Sequence, residues 1–224
     1  MLQFNWTNTE TGQTEHLRFS LGNWRSWKAY NEWTEGNGQP SGDYIFRPAT
    51  GQYEPDTYSN YSNVACYMNN SSPYDMMSFY FRDQNHGNDH LSEKYATENV
   101  IVHVSIDADL KVLRFDVDMD SLPPIRLDGY EVIVDFTLEN FDNNGTFWTD
   151  SNELEMQKRI LNYRPTWNLT AKNYEDSLEN VTANYYPINS AISMQEVGGD
   201  RQFTVMNDRS QAGSALHNGG IQFM

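Results

Sequence analysis

Apolar and polar residues alternate along much of this chain, and the period is that of strands rather than helices. His16-Leu-Arg-Phe-Ser-Leu21 alternates, Tyr44-Ile-Phe46 is a short apolar run, and Val100–Ile106 is rich in β-branched residues. Leu110–Met119 (LKVLRFDVDM) alternates, as does much of Tyr130–Leu138 (YEVIVDFTL), and the turn-prone Ser121-Leu-Pro-Pro124 and Asp128-Gly129 separate them. Further strands are expected at Gly145–Thr149, Glu155–Leu161, Tyr186–Met194, Gln202–Met206 and Gly220–Met224. Helix signals are few, with one short turn expected at Glu175–Glu179. Strands at regular spacing, separated by turn residues, predict a mainly β chain folded as an antiparallel β-sandwich with long loops.

Two tracts break the pattern. Residues 49–98 are crowded with Tyr, Asn, Ser and Met and then turn polar, so a long loop or insertion at the sandwich edge is expected. Residues 22–42 carry Gly22, Gly36, Gly38 and Gly42 with Trp24, Trp27 and Trp33, the composition of a loop packed by its own tryptophans. The 224 residues suffice for a sizeable core. Only 38% are hydrophobic, yet 14% are aromatic, which argues against disorder.

Charge narrows the partners. A net charge of −16 disfavours nucleic acid and anionic membrane, which both require clustered Lys and Arg. No run of about 18 apolar residues is present, so no membrane span is expected. Met1-Leu-Gln-Phe-Asn-Trp6 has neither a basic region nor an apolar core, so no signal peptide is expected in this chain. Seven Asn-X-Ser/Thr triplets, at Asn5, Asn60, Asn69, Asn70, Asn144, Asn168 and Asn180, nevertheless favour a glycosylated luminal protein. The lone Cys66 has no partner for an internal disulfide; a buried or unreactive thiol is expected, with a bridge to sequence outside the chain as the alternative.

Few constellations carry chemistry. Glycoside hydrolysis needs two carboxyl groups roughly 5–9 Å apart, but 31 acidic residues supply many pairs and single out none. Asp116, Asp118 and Asp120 share one strand face, but the glycine and terminal Glu of a calcium loop are lacking, so a solvated face is expected. His86 and His90 have i, i+4 spacing, but the intervening Gly87-Asn-Asp89 disfavours the helix that metal binding would need. His16, His103 and His217 are scattered, and no nucleophile motif surrounds Gly213-Ser-Ala-Leu216. Tyr44 is the leading candidate for a binding role, since a tyrosine offers an apolar face and a hydroxyl to a sugar; from composition alone it reads as an ordinary strand tyrosine. Asp150 and Asn152 are expected to close a turn, Lys158 and Arg159 to pair with carboxylates, and Tyr163, Trp167, Tyr185 and Tyr186 to fill a seam between sheets or domains.

Four ordered blocks carry a resemblance: Ser41-Gly-Asp-Tyr-Ile-Phe-Arg-Pro48, Phe147–Trp167, Asn184-Tyr-Tyr-Pro-Ile-Asn189 and Asp208–Leu216. Together they resemble the C-terminal β region of the glycoside hydrolase family 38 α-mannosidases, nearest the lysosomal type. The resemblance implies a β-sandwich of the mannosidase C-terminal, galactose mutarotase-like kind, and a zinc-dependent retaining enzyme that trims mannose from N-linked glycans in a lysosomal or other vacuolar lumen. It implies that Tyr44 reaches the mannose, although Asp43 stands where the family has alanine. It also implies that the nucleophile and the zinc ligands precede this region, and that a later arginine of the substrate site follows Met224. Residues 1–224 are therefore expected to be an incomplete C-terminal piece: no catalytic residue, no bound zinc, and inactive without its N-terminal catalytic domain. The alternative is a stand-alone carbohydrate-binding or structural β module of the secretory route.

Overall fold

The computed structural model describes residues 1–25, 56–57, 60–67, 74–82, 100–107, 112–119, 130–150, 152–166 and 181–224. These form two compact units, one from Met1–Thr57 with Arg126–Met224 and one from Tyr58–Ile125. Every paired strand among the described residues is antiparallel, and helical backbone is confined there to residues 181–182. The expected mainly β, sandwich-like architecture is what the chain adopts.

The first unit contains two sheets. One runs in the order β1 (Leu2–Thr7), β2 (Thr14–Arg25), β8 (Tyr130–Leu138), β15 (Gly220–Phe223), β14 (Gln211–Ser214) and β11 (Tyr186–Ile188), with the two-residue β3 (Asp56–Thr57) beside β2. The other runs β10 (Met156–Ile160), β9 (Thr146–Asp150), β12 (Ala191–Gln195) and β13 (Gln202–Met206). Register aligns Phe19 with Phe136 and Phe136 with Ile221, so these side chains share one sheet face. Phe136 meets both Phe19 and Phe223 edge to face, at centroid distances of 5.3 and 6.2 Å. Across the sandwich, Phe147 of β9 meets Tyr186 of β11 edge to face at 5.7 Å. Gly213 on β14 makes the close approach of the sheets there feasible, because a Cβ would lie only 2.9 Å from Ile188 Cδ1 and 3.4 Å from Ile192 Cδ1. Ile188, Ile192, Met194 and Phe147 are completely buried in this seam.

The far face of the larger sheet is also partly covered. Ile133, Val181 and Leu216 form a buried cluster there, with Leu161, Tyr185 and Met224 packed against it. The second unit is a four-stranded meander of β4 (Asn60–Tyr67), β5 (Tyr74–Arg82), β6 (Val100–Asp107) and β7 (Val112–Met119). Val100, Val102 and Val104 of β6 are buried while the residues between them are half-buried, the alternation expected of a sheet with one covered face.

Three expectations differ from what is observed. Tyr186–Met194 is two strands, not one: Asn189-Ser190 turns the chain from the larger sheet into the smaller, and Asn189 N–H donates to the Asp150 carbonyl at 2.9 Å. Gly22 and Trp24 belong to β2, which extends to Arg25, rather than to a loop. The tract 49–98, expected as a long loop or insertion, holds β3, β4 and β5; its tyrosine, serine and asparagine side chains hid the strand periodicity. Tyr44–Phe46, Glu175–Glu179 and most of 22–42 lie outside the described residues.

Candidate functional site

Tyr44, Asn69, Asn70, His86, His90, Asp120, Trp167, Asn168 and Asn180 also lie outside the described residues. Asn60 and Cys66 fall on β4. Asn5 is exposed on β1, and its amide oxygen meets His16 Nδ1 at 2.7 Å. Asn144 is exposed at a two-residue turn in which Asn144 and Gly145 both have left-handed φ, 46° and 64°, and Thr146 N–H closes back on Asn143 O at 2.8 Å. His103 bonds Ser78 Oγ at 2.7 Å, and Asp116 accepts from Arg114 Nε at 2.9 Å on the exposed edge of β7. Asp116 and Asp118 are both exposed, as a solvated face requires. Among the described residues, no three His, Cys, Asp or Glu side chains converge as a metal would need.

What the structure does bring together is the set of sequence blocks around Phe147–Trp167, Asn184–Asn189 and Asp208–Leu216. Asp150, at the end of β9, is buried. Its carboxylate accepts from the backbone N–H groups of Asn152, at 3.1 Å, and Glu153, closing the expected turn, and from the Ser190 hydroxyl of the next block. The Ser190 bond, followed by the backbone amides, holds this carboxyl below its ordinary pKa against the opposing effect of desolvation. Asn162 and Asn184 exchange two bonds: Asn162 N–H donates to Asn184 Oδ1 at 2.8 Å, and Asn184 Nδ2 donates to Asn162 Oδ1 at 2.9 Å. Ser214 Oγ then donates to the Asn184 carbonyl at 2.7 Å, and Ser210 Oγ meets Asn189 Oδ1 at 2.9 Å. Residues as far apart in sequence as Asp150 and Ser190, or Asn162 and Ser214, are thus tied together as a polar joint beside the inter-sheet seam.

The arginines of this joint depart from expectation. Among the described residues Arg159 pairs with no carboxylate; its Nε donates to Thr149 Oγ1 at 3.0 Å and its guanidinium lies 4.3 Å from the centroid of the Tyr186 ring. Arg164, which sequence analysis did not single out, lies 4.4 Å from the same centroid and donates to the Ala183 carbonyl. The reason is geometric. Register puts Arg159 opposite Phe147 on β9, so it shares the inward face with Phe147 and meets an aromatic ring instead of water. Tyr186 is buried as expected of a seam residue, and Tyr185 is half-buried with its hydroxyl donating to Gln222 at 2.9 Å. Tyr163 is 55% exposed and fills no seam between the sheets.

A second concentration of polar groups lines an open pocket of about 560 Å³ that includes Arg18, Glu139, Asp142, Glu196 and Asn218. Its acids are committed. Arg18 Nε lies 3.3 Å from Glu139, and Arg201 holds Glu196 through its Nε at 2.9 Å while its terminal nitrogen reaches Glu15 at 2.8 Å. The Arg201 bond keeps the Glu196 carboxyl below its usual range, the wrong direction for a proton donor at neutral pH.

Residues 20–224 match the family model described as the glycosyl hydrolases family 38 C-terminal domain, and the chain belongs to that family of glycosidases. It is 44% identical over 96 residues to the protein named lysosomal alpha-mannosidase of Bos taurus, 42% to that of Homo sapiens and 35% to that of Dictyostelium discoideum. Each alignment covers 43% of this chain and 9% of the relative, so the match takes in under a tenth of the relatives' length. Among the described residues, no helix is long and apolar enough to cross a membrane.

Proposed function

We propose that residues 1–224 are an incomplete C-terminal β region of a zinc-dependent, retaining α-mannosidase that removes terminal α-mannose from N-linked glycans in a lysosomal or vacuolar lumen. The observation carrying this reading is the family match over 20–224, in a chain whose described blocks are tied by hydrogen bonds. The described residues do not suit zinc, since no three candidate ligands meet, and no step through the ion is derived from them. The catalytic carboxylates and the zinc site belong to a catalytic region outside these residues. This chain supplies a supporting wall, and Tyr44 contributes a hydroxyl and a ring face to the mannose in that shared pocket. Residues 49–98 form an insertion within the β region. The seven sequons, with Asn5 and Asn144 exposed as transfer or retention of a glycan requires, carry glycans in the lumen.

The test has two arms. Purified 1–224 should show no turnover of an aryl α-mannoside, with or without zinc, and activity in this chain alone would overturn the proposal. In the full-length protein, Tyr44→Phe should lower kcat/KM about 10-fold or more, the effect of removing a hydrogen bond made in a water-poor site. An unchanged kcat/KM would remove Tyr44 from the substrate site. The polar pocket lined by Arg18, Glu139 and Asn218 favours one competing reading, a stand-alone glycan-binding module. That reading requires 1–224 alone to retain mannose oligosaccharides on a column, which the proposed scaffold would not do.

A further inference from the structure

Two guanidiniums lie against one tyrosine ring with no carboxylate partner among the described residues. Arg159 and Arg164 lie 4.3 and 4.4 Å from the Tyr186 centroid, so the two guanidiniums lie within the Debye length of about 10 Å at 0.1 M salt. Each spends one N–H on a neutral oxygen, Thr149 Oγ1 or the Ala183 carbonyl, and has further donors in its five-membered set to place. Neither makes an ion pair among the described residues, in a chain with 31 acidic and 15 basic residues. The Tyr186 hydroxyl is buried, on a residue only 7% exposed, and has no hydrogen-bond partner among the described residues. A buried hydroxyl left unpaired is uncommon, because desolvation is not compensated.

Position adds to this. β10 and β11 are edge strands of the two facing sheets, and the stack sits where Arg159 of one meets Tyr186 of the other. An inward-pointing charge at such an edge can serve only to deter strand addition. That role needs one cation and no acceptor. Here a second cation arrives from the turn after β10, held by the carbonyl of Ala183, and the hydroxyl of the ring that both arginines approach is unpaired among the described residues.

We propose that Arg159, Arg164 and the Tyr186 hydroxyl form an oxyanion-binding site at the open edge of the sandwich, one that takes a carboxylate or a phosphate-type group. A planar carboxylate suits a guanidinium fork bidentately, and the tyrosine hydroxyl supplies a further donor to its second lone pair. The bound anion offsets the mutual repulsion of the two arginines and fills the missing acceptor. An acidic side chain of an adjoining polypeptide segment and a free phosphate share this chemistry, and two probes separate them.

The 224-residue chain is melted at pH 7 in increasing acetate or inorganic phosphate, at low millimolar concentrations with ionic strength fixed by sodium chloride. A saturable rise in Tm of about 3–6 °C is expected at ten times Kd. Saturation by acetate and phosphate identifies a carboxylate-competent site, and saturation by phosphate alone a phosphate-type site. Arg164→Gln should abolish the saturable part. Tyr186→Phe, which keeps the ring and the stacking, should still fold by circular dichroism and weaken Kd about 10-fold. A rise that does not saturate, or equal Kd values for the parent chain and Tyr186→Phe, would reduce the stack to an edge-closing structural device and overturn the proposal.

Discussion

The sandwich of 1–57 with 126–224 and the four-stranded sheet within 58–125 are both antiparallel, yet they are assembled by different rules. In the sheet β4–β7, each strand pairs with its neighbour in sequence, and one face is apolar while β7 shows Asp116 and Asp118 to water. In the sandwich, β8 pairs with β2 and β15, and consecutive strands β11 and β12 sit in opposite sheets. The first arrangement needs only alternation and turns. The second needs side chains that fit across a seam, from Phe147 and Tyr186 to the glycine that lets Ile188 and Ile192 approach. Stability in the sandwich should consequently depend on single packing residues far more than stability in the meander does.

Phe147→Ala gives the largest expected effect, about 3–5 kcal/mol of stability, because it empties a fully buried site and removes the edge-to-face contact with Tyr186. Chemical denaturation followed by tryptophan fluorescence measures it. Val102→Ala, at an equally buried site on β6, should cost only about 1–3 kcal/mol. Equal losses would erase the contrast between the two regions.

Turns within the sandwich sharpen the same point. Gly219 has φ +73°, and a Cβ there would lie 2.4 Å from the Leu138 carbonyl oxygen, whereas Gly12, at φ +72°, faces open space. Gly219→Ala should therefore cost about 2–4 kcal/mol and Gly12→Ala about 1 kcal/mol, read from the midpoint of thermal unfolding. A larger cost at Gly12 would show that backbone strain outweighs packing.

The smallest effects are electrostatic. The Asp150 carboxyl is held low in the folded state, so its contribution is present above its ordinary unfolded pKa of about 3.9 and is lost as pH falls through the folded value. Asp150→Asn should flatten the acid limb of a Tm–pH curve, and an unchanged limb would deny the joint its carboxylate. His217 is shifted the other way. Its bond to Asp135, at 3.4 Å, raises the imidazole pKa, more than burial lowers it. Its contribution is full below about pH 6.5 and is lost as pH rises through the raised value. His217→Gln should remove a shallow decline in Tm across that window, a modest effect for a side chain 41% exposed.

Much of the fold was legible because strand periodicity survives wherever one face is buried. Tyr130–Leu138 and Gln202–Met206 match their strands end for end. β4 and β5 were not legible, since Asn60-Tyr-Ser-Asn and Tyr74-Asp-Met-Met present no clean apolar period. β14 is a short strand whose partners come from elsewhere, Gln211–Ser214 pairing with both Tyr186–Ile188 and Gly220–Phe223. Of the joint, the Asp150 turn was readable from an acid next to small polar residues. Arg164 carried no such signal beyond a basic residue before Pro165. Its partners, Tyr186 and Ala183, lie about twenty residues away and on another element.

By itself the sequence determined that this chain would be β-rich, acidic and built from antiparallel strands, and its ordered blocks marked it as family 38, because alternation, charge and local motifs are properties of neighbouring residues. Tertiary structure alone decided that Asn189-Ser190 switches sheets and that Asp150 caps a joint with Ser190. It alone brought two arginines to one tyrosine ring. Those facts depend on which distant strands lie side by side, and that choice is made by burying the whole set of apolar faces at once.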